Sequence, residues 1–149
     1  MFKIVSTPDC RDRARLIAEK LGEYEILDMG SVIADPSSLG DLENLGLVFG
    51  REDKGIPADV KTFISDVLGS RDLDGMQYMF SVCVCDGKPY HALKIVEILC
   101  SRIGCAPSLS MAMQNEADAE TIARKINDGG IVLAGGGVGT IIYMKRHKI

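Results

Sequence analysis

Leu45-Gly46-Leu47-Val48-Phe49 is a run without one polar side chain, and the fold turns on how it is read. A strand covered on both faces by other layers reads this way, and such strands sit at the centre of parallel sheets. Upstream of it, Phe2-Lys3-Ile4-Val5 reads as a first strand. Ala14, Ile17, Ala18 and Leu21 then fall at the i, i+3, i+4 and i+7 spacing of a helix that Gly22 stops. Tyr24 to Leu27 is a second strand, and a strand-helix-strand unit of this length is a right-handed crossover between parallel strands. Between the two regions, residues 29 to 44 carry turn signals such as Asp35-Pro36-Ser37-Ser38 and predict only one or two loose turns.

Downstream, the loop Gly50-Arg51-Glu52-Asp53-Lys54-Gly55-Ile56 leads to Pro57, which is placed to open a helix. Val60, Phe63, Ile64, Val67 and Leu68 form the buried stripe of that helix. Met76 to Cys85 is the second central strand. The loop Asp86-Gly87-Lys88-Pro89 enters a helix from Tyr90 to Ile103, with Leu93, Val96, Leu99, Cys100 and Ile103 inward. Ser108 to Met113 is the fifth strand, and Asn115 caps a last helix with Glu116 and Asp118 in its first turn.

Five strands alternating with four clear helices predict a three-layer, doubly wound α/β fold with a five-stranded parallel sheet in the order 2-1-3-4-5. Ligands of such sheets sit outside the carboxyl ends of the strands, where the strand order reverses. The expected rim is therefore built from residues 6 to 12, 50 to 56 and 86 to 90. Within it Cys10 lies in a helix's first turn, where the dipole favours a thiolate, but it reads first as a small buried or rim cysteine. His91 reads as a surface residue, and Glu52, Asp53 and Asp86 as solvated loop charges.

The chain has 149 residues, of which 46% are hydrophobic and 26% charged. That is the size and composition of one globular domain with a sizeable core. A net charge of −4 argues against a general nucleic-acid binder. Five cysteines without framework spacing, and a Met1-Phe2-Lys3-Ile4 start that enters a strand directly, predict free thiols in a reducing cytoplasm.

Residues 130 to 149 stand apart from the domain of residues 1 to 129. Ile131 to Met144 is apolar and glycine-rich, and Lys145-Arg146-His147-Lys148 follows. With Gly135-Gly136-Gly137 dividing it, the segment is read as two strands, about 131 to 134 and 138 to 144, joined as a hairpin that packs on the sheet or on a second copy in a homodimer. An added helix and a membrane anchor remain the alternatives. The anchor is the weaker one, since a spanning helix needs roughly 20 residues.

Ser6-Thr7-Pro8-Asp9-Cys10 followed by Ile17-Ala18-Glu19-Lys20-Leu21 resembles the first loop and helix of flavodoxins, which read Ser-Thr-Gly-Asn-Thr and then a closely similar helix end. Leu47-Val48-Phe49 with Gly55-Ile56-Pro57, Val82-Cys83-Val84-Cys85-Asp86-Gly87 and Ser110-Met111-Ala112-Met113-Gln114 are similar, in the same order, to flavodoxin domains found beside bacterial ferredoxin modules. The resemblance covers residues 2 to 128. It implies an FMN-binding electron carrier, serving redox protein partners rather than catalysing with acid-base or nucleophilic residues of its own. The implied cofactor-binding residues are Ser6, Thr7, Asp9, Cys10, Arg11, Gly50, Arg51, Lys54, Gly55, Cys85, Asp86, Gly87 and Tyr90.

The residues depart from that pattern at the phosphate loop. Pro8 removes a backbone donor and Asp9 adds negative charge, with Arg11, Arg13 and Arg15 as the compensating cations. The alternative is a cofactor-free interaction module on the same fold.

Overall fold

The computed structural model describes residues 1–131 together with Ile142 and Tyr143. Five strands, β1 (Phe2–Ser6), β2 (Tyr24–Asp28), β3 (Asn44–Gly50), β4 (Tyr78–Val84) and β5 (Leu109–Met113), form one sheet in the order β2-β1-β3-β4-β5. Every neighbouring pair is parallel, and β1 is held on both sides, with Ile4 opposite Ile26 of β2 and opposite Gly46 of β3. The doubly wound order is therefore the observed one.

Helices cover both faces. Ala14, Ile17 and Ala18 of α1 (Arg11–Ala18) pack with Ile4, Val48, Phe80 and Val82, as do Ala119, Ile122 and Ile126 of the later helix that closes this face. The opposite face receives Met29 and Val32 of α2 (Met29–Ala34) and Val60 of α3 (Ala58–Thr62). It also takes Leu93, Val96 and Cys100 of α4 (Ala92–Arg102), against Leu45, Leu47, Phe49, Met79 and Cys83. Strands buried on both sides need apolar residues at every position, which is why β3 carries no alternation of polar and apolar side chains.

Several boundaries differ from the expected ones. The segment after β2 makes a proper short helix, because Asp28 Oδ2 accepts from both the backbone N and the Oγ of Ser31 at 3.0 Å and so caps it. The helix after Pro57 passes into a wider π turn over Phe63–Val67 and a 3-10 turn over Leu68–Ser70, yet its predicted stripe stays buried throughout. At the start of α4 the backbone of Tyr90 has φ 48°, outside the helical region, so the helix begins at Ala92 rather than Tyr90. Asn115 caps as expected, through a reciprocal pair in which Asp118 N donates to Asn115 Oδ1 and Asn115 N to Asp118 Oδ2. The helix that follows is α5 (Asp118–Asn127).

Beyond α5, β6 (Gly130–Ile131) and β7 (Ile142–Tyr143) pair antiparallel, with Gly130 opposite Tyr143. The rest of the expected hairpin, and the homodimer and membrane roles attached to it, lie outside the described residues. Among the described residues no helix is long and apolar enough to cross a membrane.

The centre of the sheet is locked by one close approach. Gly46 lies directly opposite Phe80 in the register of β3 and β4. A Cβ on Gly46 would meet the Phe80 ring at 2.1 Å, since that ring lies over β3 and reaches Phe2 on β1 with its centroid 6.1 Å away. Only hydrogen fits under the ring. Gly46→Ala should therefore cost about 3 kcal/mol in urea denaturation, the upper end of ordinary overpacking. Gly75→Ala, where a new Cβ meets nothing within 4 Å, should stay within about 0.5 kcal/mol of the parent. Equal midpoints for the two variants would contradict this packing.

Candidate functional site

Parallel strands deliver all their following loops to one edge. There the ends of β1, β3, β4 and β5 surround a groove of about 280 Å³ lined by Asp9, Cys10, Arg13, Gly50, Arg51, Val84, Cys85, Asp86 and Gln114. Ser6 and Thr7 lie beneath it, 1% and 5% exposed. Of the other residues singled out from sequence, Arg11 is exposed and does not line the groove. Gly55 folds back on Glu52 through paired backbone bonds of 2.9 and 3.2 Å, closing the loop after β3 into a tight turn with Asp53 at φ 52°. Gly87 anchors the loop after β4, its carbonyl accepting from Gln114 Nε2 and from the Cys85 thiol.

Tyr90 joins these two loops. Its ring carries the Arg51 guanidinium 4.8 Å from the centroid and Lys54 Nζ at 6.0 Å, while His91 N donates to Lys54 O at 3.1 Å. A tyrosine in the left-handed region stores strain, and the two cations with the backbone bond hold it there. The result is an aromatic face, half exposed, beside the groove.

The loop after β1 is closed on itself. Thr7 N donates to Val48 O, Cys10 N to Thr7 O and Arg11 N to Pro8 O, and Pro8 has no N–H at all. A short 3-10 turn over Pro8–Cys10 runs straight into α1. Three side-chain donors nearby remain unused: Thr7 Oγ1, Arg13 Nη1 and Arg51 Nε are shielded from solvent and have no hydrogen-bond partner among the described residues. The Thr7 hydroxyl lies near enough to the Cys10 thiol to favour its ionised form, but without the alignment of a hydrogen bond. Asp9 and Asp86 face the same groove as Arg13 and Arg51, and among the described residues none of these four forms an ion pair. Shielded guanidinium donors left without a hydrogen-bond acceptor are costly.

Of the two readings of Cys10, the buried cysteine is the one observed, 2% exposed. Burial is the largest influence and raises the thiol's pKa, with Asp9 adding to it, and Thr7 and Arg13 opposing it too weakly to win. The helix dipole is overridden by desolvation. Burial also pushes Cys83 up to about 12 and raises Cys85. Burial therefore favours the neutral form of Cys10 and Cys85 beside the groove, while Cys83 lies in the core of β4.

Gln114 is a groove residue absent from the set read from sequence, and of the three arginines named there as compensating cations only Arg13 lines the groove. The signal for Gln114 was available: it directly follows the carboxyl end of β5, and the rule that selected the other loops applies to it equally. Arg13 sits one turn into α1, where only the rotamer decides which way the guanidinium points.

A larger concavity of about 590 Å³ lies at the opposite edge, lined by Met1, Lys3, Glu43 and Arg71 among others. Its cations already have partners: Lys3 Nζ donates to Leu39 O at 2.6 Å, Arg71 to Gly40 O, and the amino terminus faces Glu43 at 3.7 Å. It is the weaker candidate despite its size.

No protein-family profile and no curated protein sequence matches the chain. Solved structures do. Rubredoxin oxygen:oxidoreductase from Desulfovibrio gigas superposes on 85% of the chain with a TM-score of 0.60 at 15% identity, the chain spanning 33% of that protein's length. A flavodoxin from the domain Archaea superposes on 85% of the chain and 99% of its own length, with a TM-score of 0.59 at 12% identity. Sheet order, helix layers and these superpositions agree, and the chain has the flavodoxin-like fold.

Proposed function

We propose that this domain binds FMN at the carboxyl edge of its sheet and serves as an electron carrier, with the phosphate held by side chains in place of a backbone loop. The observation that carries this reading is the set of unpartnered, shielded donors, Thr7 Oγ1, Arg13 Nη1 and Arg51 Nε. A phosphate dianion satisfies hydroxyl and guanidinium donors together, and arginine suits it geometrically. The groove is just below the usual size of small-molecule sites, roughly 300–1,000 Å³. It suits the phosphate and part of the chain behind it, and leaves a planar ring to the rim beside Tyr90. FMN supplies the electron chemistry when bound, while the protein binds and orients it.

A second reading, a cofactor-free interaction module, is favoured by one observation: the backbone donors of Thr7, Cys10 and Arg11 that a phosphate loop would offer are already used, the first by Val48 O of β3 and the other two within the loop. The two readings separate in a single titration. FMN fluorescence should be quenched saturably with a dissociation constant of about 1–10 µM, and riboflavin, which lacks the phosphate, should bind at least tenfold more weakly. Arg13→Ala and Arg51→Ala should each weaken FMN binding by roughly 10- to 100-fold, the worth of a charge-assisted hydrogen bond of about 1.5–3 kcal/mol. Absence of quenching by FMN would leave the interaction module standing.

The sign of the Asp9 contribution gives an independent check. Like charges at close range repel by about 1 kcal/mol even at the dielectric of water. Asp9→Asn should therefore tighten FMN binding severalfold in the same assay and leave riboflavin unchanged. Equal tightening of both ligands would show that the charge acts on something other than the phosphate.

A further inference from the structure

At the far end of α4, away from the rim, the helix stops through a two-bond clasp. Cys105 N donates to Cys100 O at 2.9 Å, and Gly104 N donates to Ser101 O at 3.2 Å, with Gly104 at φ 84°. These are the paired bonds of a Schellman ending, in which the residues at the two ends of the longer bond also bring their side chains together. Here both of those residues are cysteines. Standard backbone dimensions and the 2.9 Å bond limit their Cα separation to about 7 Å at most, which lies at the reach of a disulfide. Both are free thiols, Cys100 fully buried and Cys105 6% exposed. Cys105 also lines an open cavity of about 180 Å³ with Leu73, Met76, Gly104 and Ser108, so of the two cysteines it is the one open to a small oxidant.

We propose that Cys100 and Cys105 are a reversible dithiol–disulfide site, oxidised by small disulfides of the glutathione class. The Cys105 sulfur, as thiolate, attacks one sulfur of the oxidant, forming a mixed disulfide and releasing one thiolate. Cys100 then attacks the Cys105 sulfur and expels the second thiolate, which takes up the Cys100 proton. Two protein thiols are oxidised to one disulfide, and one small disulfide is reduced to two thiols. Hydrogen bonding between the two thiols lowers the pKa of Cys105 and raises that of Cys100, which suits the outer residue to attack and the inner one to resolve. The site is independent of what occupies the rim.

The full chain is equilibrated in buffers of increasing oxidised-to-reduced glutathione ratio, quenched with acid, alkylated, and weighed and peptide-mapped by mass spectrometry. The expected result is loss of two alkylation adducts out of five together, with a Cys100–Cys105 linked peptide. Cys100→Ser should instead accumulate a glutathione adduct on Cys105, since nothing resolves it. The double variant Cys83→Ser, Cys85→Ser should oxidise as the parent does. Five alkylated thiols at every ratio, or a first link that joins Cys83 to Cys85, overturns the proposal.

Discussion

The hydrogen bonds that β1 makes on both its edges, to β2 on one side and β3 on the other, are the constraint from which the rim follows. With β1 between them, the connection after β1 crosses one face and the connection after β3 crosses the other. The loops leave the sheet in opposite directions and open a crevice between them. Thr7 N bonded to Val48 O continues the pairing one step beyond the strand, so the floor of the crevice is sheet backbone rather than mobile loop. Phe80 of β4, lying over Gly46 of β3 toward Phe2 of β1, ties β1, β3 and β4 together from one face.

Inside that crevice two effects compete, and burial wins. A thiol at a helix start is usually cited as an activated one, but Cys10 is 2% exposed and its burial outweighs Thr7 and Arg13 together. The guanidinium groups behave differently, because they stay charged wherever they are placed. Desolvation silences the cysteines and leaves Arg13 and Arg51 as the groups with unmet demand. A strained Tyr90 under Arg51 keeps the second of these in position without neutralising its Nε.

How much of this the sequence disclosed depends on whether a feature is set by pattern or by rotamer. The apolar run of β3, the helical spacing of Ala14, Ile17 and Ala18, and the stripe from Val60 to Leu68 are pattern, and they led to the strand order. Local hydrogen bonds were less legible. Asp28 capping at Ser31 made a helix where the turn-rich composition suggested only loose turns, and the φ of Tyr90 shortened α4 by two residues. At the site, Pro8 and Asp9 announced that the loop departs from flavodoxins. That the N–H groups of Cys10 and Arg11 bond within the loop, and that Arg13 rather than Arg11 or Arg15 lines the groove with Arg51, depends on backbone and rotamer geometry that the sequence does not display.

The central claim is that Arg13 and Arg51 of the β1/β3 crevice, each with a shielded nitrogen that lacks an acceptor, are the anion-binding groups of a flavodoxin-like fold. It is tested most directly by following the arginine Nε–H resonances of ¹⁵N-labelled protein as FMN is added. The account predicts that the Arg51 Nε–H signal, assigned by its loss in Arg51→Lys, shifts saturably with FMN and hardly moves with riboflavin. An Arg51 signal that stays still while FMN perturbs residues elsewhere would contradict it.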